Sequence, residues 1–151
     1  MEEIIYKPIG VVHLPHAAAG QPMPRRLSRR GVEGTVEVFP DFVEGLRDLD
    51  GFSHIVLLCH LHESKGYSLA VTPPGEMVTH GVFASRSPRR PNPISLTVVR
   101  LQRIEGAVLH VVDLDLLDGT PLLDIKPYFP MTPPEDEVAT GWMETRSGKE
   151  H

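Results

Sequence analysis

Short stretches of apolar and β-branched residues, interrupted by polar and turn-forming residues, recur along most of the chain and indicate β-strands. The predicted strands cover residues 4–14, 35–39, 52–61, 67–71, 80–85, 94–104, 107–117 and 122–125. Pairs such as Glu105-Gly106 and Asp118-Gly119 lie between them, as expected of tight turns. Closely spaced strands with such turns predict a mainly β fold, either a barrel or a sandwich.

One segment has helical rather than strand periodicity. Phe42, Leu46 and Leu49 fall at positions i, i+4 and i+7, which places them on one face of a helix over residues 41–49. Asp50-Gly51 then ends the helix. Because this is the only long helical connection, a sheet of alternating strands and helices is not supported.

The length and composition favour a single domain. The chain has 151 residues, of which 40% are hydrophobic, and its 15 prolines and 13 glycines disfavour a helical bundle. We predict a barrel domain over residues 1–130 and a C-terminal tail over residues 131–151, with Trp142 as the anchor of the tail. The longest apolar run is far too short to cross a membrane, so no membrane association is expected.

The N-terminus and the cysteine content indicate a cytoplasmic protein. Met1-Glu2-Glu3 is acidic, unlike a secretory or transit peptide, and the single Cys59 has no partner for an internal disulfide. The formal net charge of −5 argues mildly against a polyanionic partner. Arginines are nevertheless concentrated in residues 25–30 and 86–90, so the local potential there differs in sign from the total.

Several familiar catalytic and phosphate-binding motifs are absent, including the Rossmann and Walker glycine-rich loops and the Gly-x-Ser-x-Gly elbow. His54, His60, His62 and His80 make a metal-dependent hydrolase an alternative. His60 and His62 would share one face of a strand, but no carboxylate spacing completes a site. We therefore predict no bound metal.

Two segments stand out as candidate binding elements. Residues 83–93 (FASRSPRRPNP) combine three prolines with three arginines, and rigid guanidinium groups are well suited to bind carboxylates or phosphates. Residues 115–128 (DLLDGTPLLDIKPY) contain a tight Asp-Gly-Thr-Pro turn, which exposes backbone N–H groups beside a carboxylate. Taken separately, the first could equally be a solvated surface loop and the second a simple hairpin turn.

These two segments, together with GTVEV at 34–38 and LDGFSHI at 49–55, resemble the TsaA/TrmO-like family over most of the chain. The resemblance implies a single-sheet antiparallel β-barrel with one or two short helices. It also implies a homodimeric S-adenosylmethionine-dependent tRNA methyltransferase. The expected acceptor is N6 of N6-threonylcarbamoyladenosine at position 37 of tRNA.

The resemblance also implies site residues in this chain. The implied S-adenosylmethionine contacts are Pro24, Arg25, Arg26, His62, Glu63, Arg86, Arg90, Asp118, Gly119, Thr120 and Pro121. Arg26 and Glu63 stand where family members often have glutamine. Arg29, Arg30 and Arg89 are predicted to bind RNA phosphates, with Phe83 or Tyr128 as candidates for stacking on a base.

Methyl transfer to a nitrogen also requires a group that accepts the proton lost from that nitrogen. Asp118 and Glu63 are the two catalytic candidates, and the sequence does not choose between them. A non-catalytic RNA- or nucleotide-binding barrel that keeps the cofactor pocket remains the main alternative function.

Overall fold

The computed structural model describes residues 1–15, 30–130 and 135–144. Six of its strands form one closed antiparallel barrel in the order β1-β2-β7-β6-β3-β8, and β4 and β5 form a separate two-stranded sheet. The strands are β1 (Gly10–His13), β2 (Glu33–Val38), β3 (His54–His60), β4 (Ala70–Val71), β5 (His80–Gly81), β6 (Ile94–Glu105), β7 (Val108–Val112) and β8 (Pro121–Pro127). The predicted mainly β barrel is therefore confirmed.

Buried and partly exposed residues alternate along the strands, and the buried ones form the core of the barrel. In β3, Ile55, Leu57 and Cys59 are fully buried, whereas the residues between them face outward and are only partly covered. Val99 of β6 and Leu109 of β7 point into the same interior. A closed barrel leaves no unpaired strand edge, so this short apolar set is covered on every side.

Two glycines allow β1 and β2 to approach closely. A Cβ added to Gly10 would collide with the backbone carbonyl oxygen of Glu37. A Cβ added to Gly34 would lie 2.6 Å from the carbonyl oxygen of His13. Both glycines are thus required by the packing of neighbouring backbone, not by an unusual backbone conformation.

The predicted helix over residues 41–49 is wrong in type. The chain forms a 3-10 helix at Pro40–Leu46, followed by a second short one at Leu49–Gly51. Neither has a buried residue or a side-chain cap, and Phe42 remains 44% exposed. Leu46 and Leu49 do pack against the core, but Asp48 between them has a left-handed backbone with φ of 68°, so no continuous α-helix reaches residue 49.

Other predicted boundaries were too long. The first strand begins at Gly10 rather than residue 4, and β7 ends at Val112 because Asp113 adopts a left-handed backbone conformation with φ of 76°. The part of the chain that the structure describes contains no helix long and apolar enough to cross a membrane. The division of the chain at residue 130 stays a prediction.

Candidate functional site

Three long connections leave the barrel at the same end. In the antiparallel register, His60 at the end of β3 lies opposite Ile94, the first residue of β6, and Cys59 lies opposite Leu122 near the start of β8. The end of β1 lies beside the start of β8, since Val11 pairs with Pro121. The connections that begin at Leu14, Leu61 and Asp113 therefore leave the barrel at one end, where the Asp-Gly-Thr-Pro turn and the residues just before Ile94 both lie.

The Asp-Gly-Thr-Pro turn is fixed to the end of β1. Gly119 has a φ of +81°, which favours glycine, and its N–H donates to the carbonyl oxygen of Val12 at 2.8 Å. Asp118 Oδ1 accepts a hydrogen bond from the backbone N–H of Leu14 at 2.8 Å. Thr120 is 1% exposed, and its hydroxyl donates to the carbonyl oxygen of Leu117 at 2.6 Å. The turn is thus a rigid element of the site.

A second aspartate holds the other end of the same connection. Asp113 Oδ1 accepts a hydrogen bond from the backbone N–H of Gly31 at 2.7 Å, and the Asp113 N–H donates to the carbonyl oxygen of Val32 at 2.9 Å. The segment 113–118 therefore ties together the two points where the first long loop leaves and rejoins the barrel. Four predicted site residues of that loop lie outside the described residues: Pro24, Arg25, Arg26 and Arg29. Arg30 is described and exposed.

The loop at residues 86–93, hereafter the arginine–proline loop, is held by its own arginine. The Arg90 guanidinium Nη1 donates to the carbonyl oxygens of Ser85 at 3.0 Å and Ser87 at 3.2 Å. Both bonds use one guanidinium nitrogen, and the predicted cofactor contact of Arg90 stays a prediction. Arg86 and Arg89 are instead exposed.

His62 has an unsatisfied polar atom at this end of the barrel. Its Nδ1 is buried and has no hydrogen-bond partner among the described residues, while its Nε2 lies 3.4 Å from Glu63 Oε1. The sequence placed His62 on a strand with His60, but β3 ends at His60, and His62 and Glu63 lie in the following turn. Because a buried unpaired nitrogen is costly, His62 is suited to receive a hydrogen bond from, or donate one to, a ligand.

The structure adds an interior polar contact that sequence reasoning missed. The Thr97 hydroxyl donates to Asp115 Oδ1 at 2.7 Å, next to Cys59. Burial, and secondarily the Asp115 carboxylate, raises the pKa of the Cys59 thiol to about 12. Cys59 is therefore a protonated core residue and not a nucleophile. The sequence offered one signal for this contact, which was the presence of Asp115 at the start of the second distinctive segment.

The four histidines that suggested a metal site are separated. His54, at the start of β3, lies at the opposite end of the barrel, and His80 stacks on Trp142. Among residues 1–15, 30–130 and 135–144, no three His, Cys, Asp or Glu side chains form a group able to hold a metal ion. The described residues thus lend no support to the metal-dependent hydrolase.

The two stacking candidates are also separated. Phe83 is 75% exposed, three residues before Arg86. Tyr128 follows β8 and donates its backbone N–H to His54, at the end of the barrel away from the loops. Tyr128 is therefore removed from the candidate site, and Phe83 remains.

These features define a small antiparallel barrel whose candidate binding site is built from loops at one end. The sequence model of the tRNA-methyltransferase O N-terminal domain matches residues 11–133. The chain belongs to this family. Its matched region contains the described loops of the site and the whole barrel except Gly10.

Similar proteins fall into the same group. The chain is 48% identical over 141 residues to a Pyrococcus abyssi protein named "Probable S-adenosyl-L-methionine-binding protein", covering 93% of this chain and 77% of that one. It is 40% identical over 94 residues to a mouse tRNA (adenine(37)-N6)-methyltransferase, covering 60% of this chain and 22% of that protein. A crystal structure of TrmO from Pseudomonas aeruginosa superimposes with a TM-score of 0.73 at 35% identity, covering 93% of this chain. The present chain spans 62% of that TrmO chain.

Proposed function

We propose that the protein is an S-adenosylmethionine-dependent tRNA methyltransferase that methylates N6 of N6-threonylcarbamoyladenosine at position 37. The observation that carries this proposal is the meeting of the Asp118 turn, the arginine–proline loop and His62 at one end of a barrel of this family. The names of the relatives support cofactor binding and an adenine-37 N6 acceptor. The threonylcarbamoyl group on that base is our own addition, because those names state only the adenine.

The residues present fit a polar nucleotide cofactor. The buried Nδ1 of His62 offers an unused hydrogen-bonding atom. The turn formed by Asp118, Gly119, Thr120 and Pro121 offers a rigid backbone, locked through Thr120 and Leu14. We assign these residues, with Glu63 and Arg86, to cofactor binding, together with Pro24, Arg25 and Arg26 of the first loop. When bound, S-adenosylmethionine supplies an activated methyl group.

The protein's part in the reaction is to position the acceptor and remove a proton. Holding the two reactants in line accounts for much of the rate in such a displacement. Glu63 is the better candidate for the base, because its side chain is 68% exposed beside His62 and can meet an incoming nitrogen. Asp118 already uses Oδ1 to hold Leu14, so its first role is to fix the turn.

RNA binding is assigned to the arginines near the site. Arg86 and Arg89 make no ion pair with a described carboxylate, unlike Arg47 with Glu44 or Lys126 with Asp124. Uncompensated guanidinium groups provide a local positive field even though the whole chain carries −5. Arg29, Arg30 and Arg89 are the proposed phosphate contacts.

We also propose a homodimer in the cytoplasm. The outward face of β3 and β6 is apolar, with Leu58 paired to Leu96 and His60 paired to Ile94. Leu96 is 52% exposed, whereas Leu57 is buried in the core. A second copy packed on this face would remove that apolar surface from water. Sedimentation of the pure protein at micromolar concentration tests this assembly.

The activity is tested by incubating the protein with methyl-labelled S-adenosylmethionine and total tRNA, followed by nucleoside mass spectrometry. The expected product is N6-methylated N6-threonylcarbamoyladenosine. A methyl group on another nucleoside would overturn the acceptor assignment alone. Cofactor binding without any methyl transfer would favour the non-catalytic barrel.

A further inference from the structure

The C-terminal segment is attached to the small sheet that carries the arginine–proline loop. The Trp142 indole Nε1 donates a hydrogen bond to the carbonyl oxygen of Ala84 at 2.8 Å, across 58 residues of sequence. The Trp142 ring also stacks on His80, with ring centroids 4.3 Å apart and planes inclined by 14°. Two independent contacts thus fix one tryptophan to residues 80–84.

Those residues lead directly into the arginine–proline loop and share hydrogen bonds with it. Val82–Ala84 is a 3-10 turn whose first N–H donates to the carbonyl oxygen of Leu69. The N–H and the hydroxyl of Ser85 both donate to the carbonyl oxygen of Val82, at 3.1 and 2.8 Å. Ser85 in turn provides a carbonyl acceptor for Arg90. A continuous set of hydrogen bonds therefore runs from Trp142 through the turn into the loop.

The opposite side of the loop is tied to the connection after β3. The Ser64 hydroxyl donates to the carbonyl oxygen of Pro88 at 2.7 Å, and the Ser68 N–H donates to the carbonyl oxygen of Arg89 at 3.3 Å. The backbone on both flanks of Arg86 and Arg89 is thus held, which leaves their guanidinium groups presented to solvent. Rigid presentation of this kind reduces the entropy lost when phosphates bind.

We propose that Trp142 is a positioning residue for RNA binding. Its contacts with Ala84 and His80 hold the arginine–proline loop so that Arg89 faces the RNA. Trp142 acts through the loop and needs no contact with the RNA itself. The inference rests on the proposed function, since it presumes that RNA is the partner of this surface.

The test compares Trp142→Ala, Trp142→Phe and Arg89→Ala with the wild-type protein. Trp142→Phe retains an aromatic ring against His80 and loses only the N–H donor. Tyr128→Ala is the matched control, because Tyr128 makes an edge-on contact with His54 at the opposite end of the barrel. The affinity for total tRNA is measured by fluorescence anisotropy at several salt concentrations, and S-adenosylmethionine binding by calorimetry.

We expect Trp142→Ala to weaken tRNA binding severalfold. It should also lower the slope of log affinity against log salt by about 1 for each arginine that no longer reaches a phosphate. Trp142→Phe should fall between Trp142→Ala and the wild type, and Tyr128→Ala should match the wild type. S-adenosylmethionine affinity should stay within about twofold of the wild type in Arg89→Ala and Tyr128→Ala, because neither residue is assigned to the cofactor site.

The outcomes separate this inference from the function it rests on. If the wild type binds tRNA and both Trp142 variants keep its affinity and salt slope, Trp142 does not position the loop and the inference is wrong. If the wild type itself shows no salt-dependent tRNA binding, the proposed RNA partner is wrong and the inference falls with it. A lower melting temperature with an unchanged salt slope would show a merely structural contact, and would also refute the inference.

Discussion

Replacing Asp118 with alanine removes the acceptor of the Leu14 N–H, and the alanine side chain offers no other acceptor. The bond is 2.8 Å long and partly buried, and it joins residues 104 apart in sequence. An unsatisfied backbone N–H of this kind costs about 1–3 kcal/mol. For a chain of this size each kcal/mol corresponds to about 2–4 °C in melting temperature, so we expect a decrease of about 2–12 °C.

Asp118→Asn separates the structural role from a catalytic one. The asparagine side chain keeps a carbonyl oxygen that accepts a hydrogen bond from the Leu14 N–H. The melting temperature of the Asp118→Asn protein should therefore stay within about 3 °C of the wild type. It no longer carries a carboxylate, so it cannot accept a proton in the reaction. The two variants are compared by circular dichroism melts at pH 7 and by single-turnover methylation with saturating cofactor.

If Asp118 only fixes the turn, Asp118→Asn should keep both the stability and the single-turnover rate, while Glu63→Gln should slow the reaction. If Asp118→Asn has normal stability and loses turnover, Asp118 is the base and the preference for Glu63 is wrong. A melting temperature of Asp118→Ala equal to that of the wild type would refute the hydrogen-bond argument itself.

Three further predictions follow from single side chains. Because the folded state raises the pKa of the Cys59 thiol from 9.0 to about 12, its contribution to stability is complete below pH 9 and is lost as the pH rises towards 12. Cys59→Ala should flatten this alkaline decline in urea melts, and an equally steep decline in the variant would contradict the assignment. Gly10→Ala should cost about 3 kcal/mol, because its Cβ meets the Glu37 carbonyl. The control Gly106→Ala, with φ of +61° and open space around it, should cost only about 1 kcal/mol, and equal costs would refute the packing argument. His62→Phe should leave the melting temperature unchanged or higher and weaken cofactor binding about tenfold, or about 1.4 kcal/mol, whereas unchanged affinity in calorimetry would remove His62 from the site.

The sequence was sufficient for the presence and order of the strands, although their ends were predicted too long. The alternation in residues 94–104 and the turns at Gly106 and Gly119 carry the information locally, since each depends on neighbours in the chain. The helix prediction for residues 41–49 failed because the apolar spacing does not reveal the left-handed backbone of Asp48, which divides the segment into two 3-10 helices.

The hydrogen bonds that anchor the candidate site could not be predicted from the sequence. Asp118 bonds to Leu14 and Asp113 to Gly31, at separations of 104 and 82 residues, and only closure of the barrel brings them together. The sequence predicts a cofactor contact for Arg90, but its bonds to the carbonyl oxygens of Ser85 and Ser87 depend on the folded loop. Composition identifies donors and acceptors without showing which of them the fold has already used.

Titration of the 151-residue chain with S-adenosylmethionine in a calorimeter tests the central claim most directly, because the proposed cofactor site lies among the loops at one end of the barrel. It predicts saturable binding of one ligand per chain, weakened in His62→Phe and in Asp118→Ala. Folded wild-type protein that gives no binding heat with either S-adenosylmethionine or its demethylated product, at several temperatures, would contradict it.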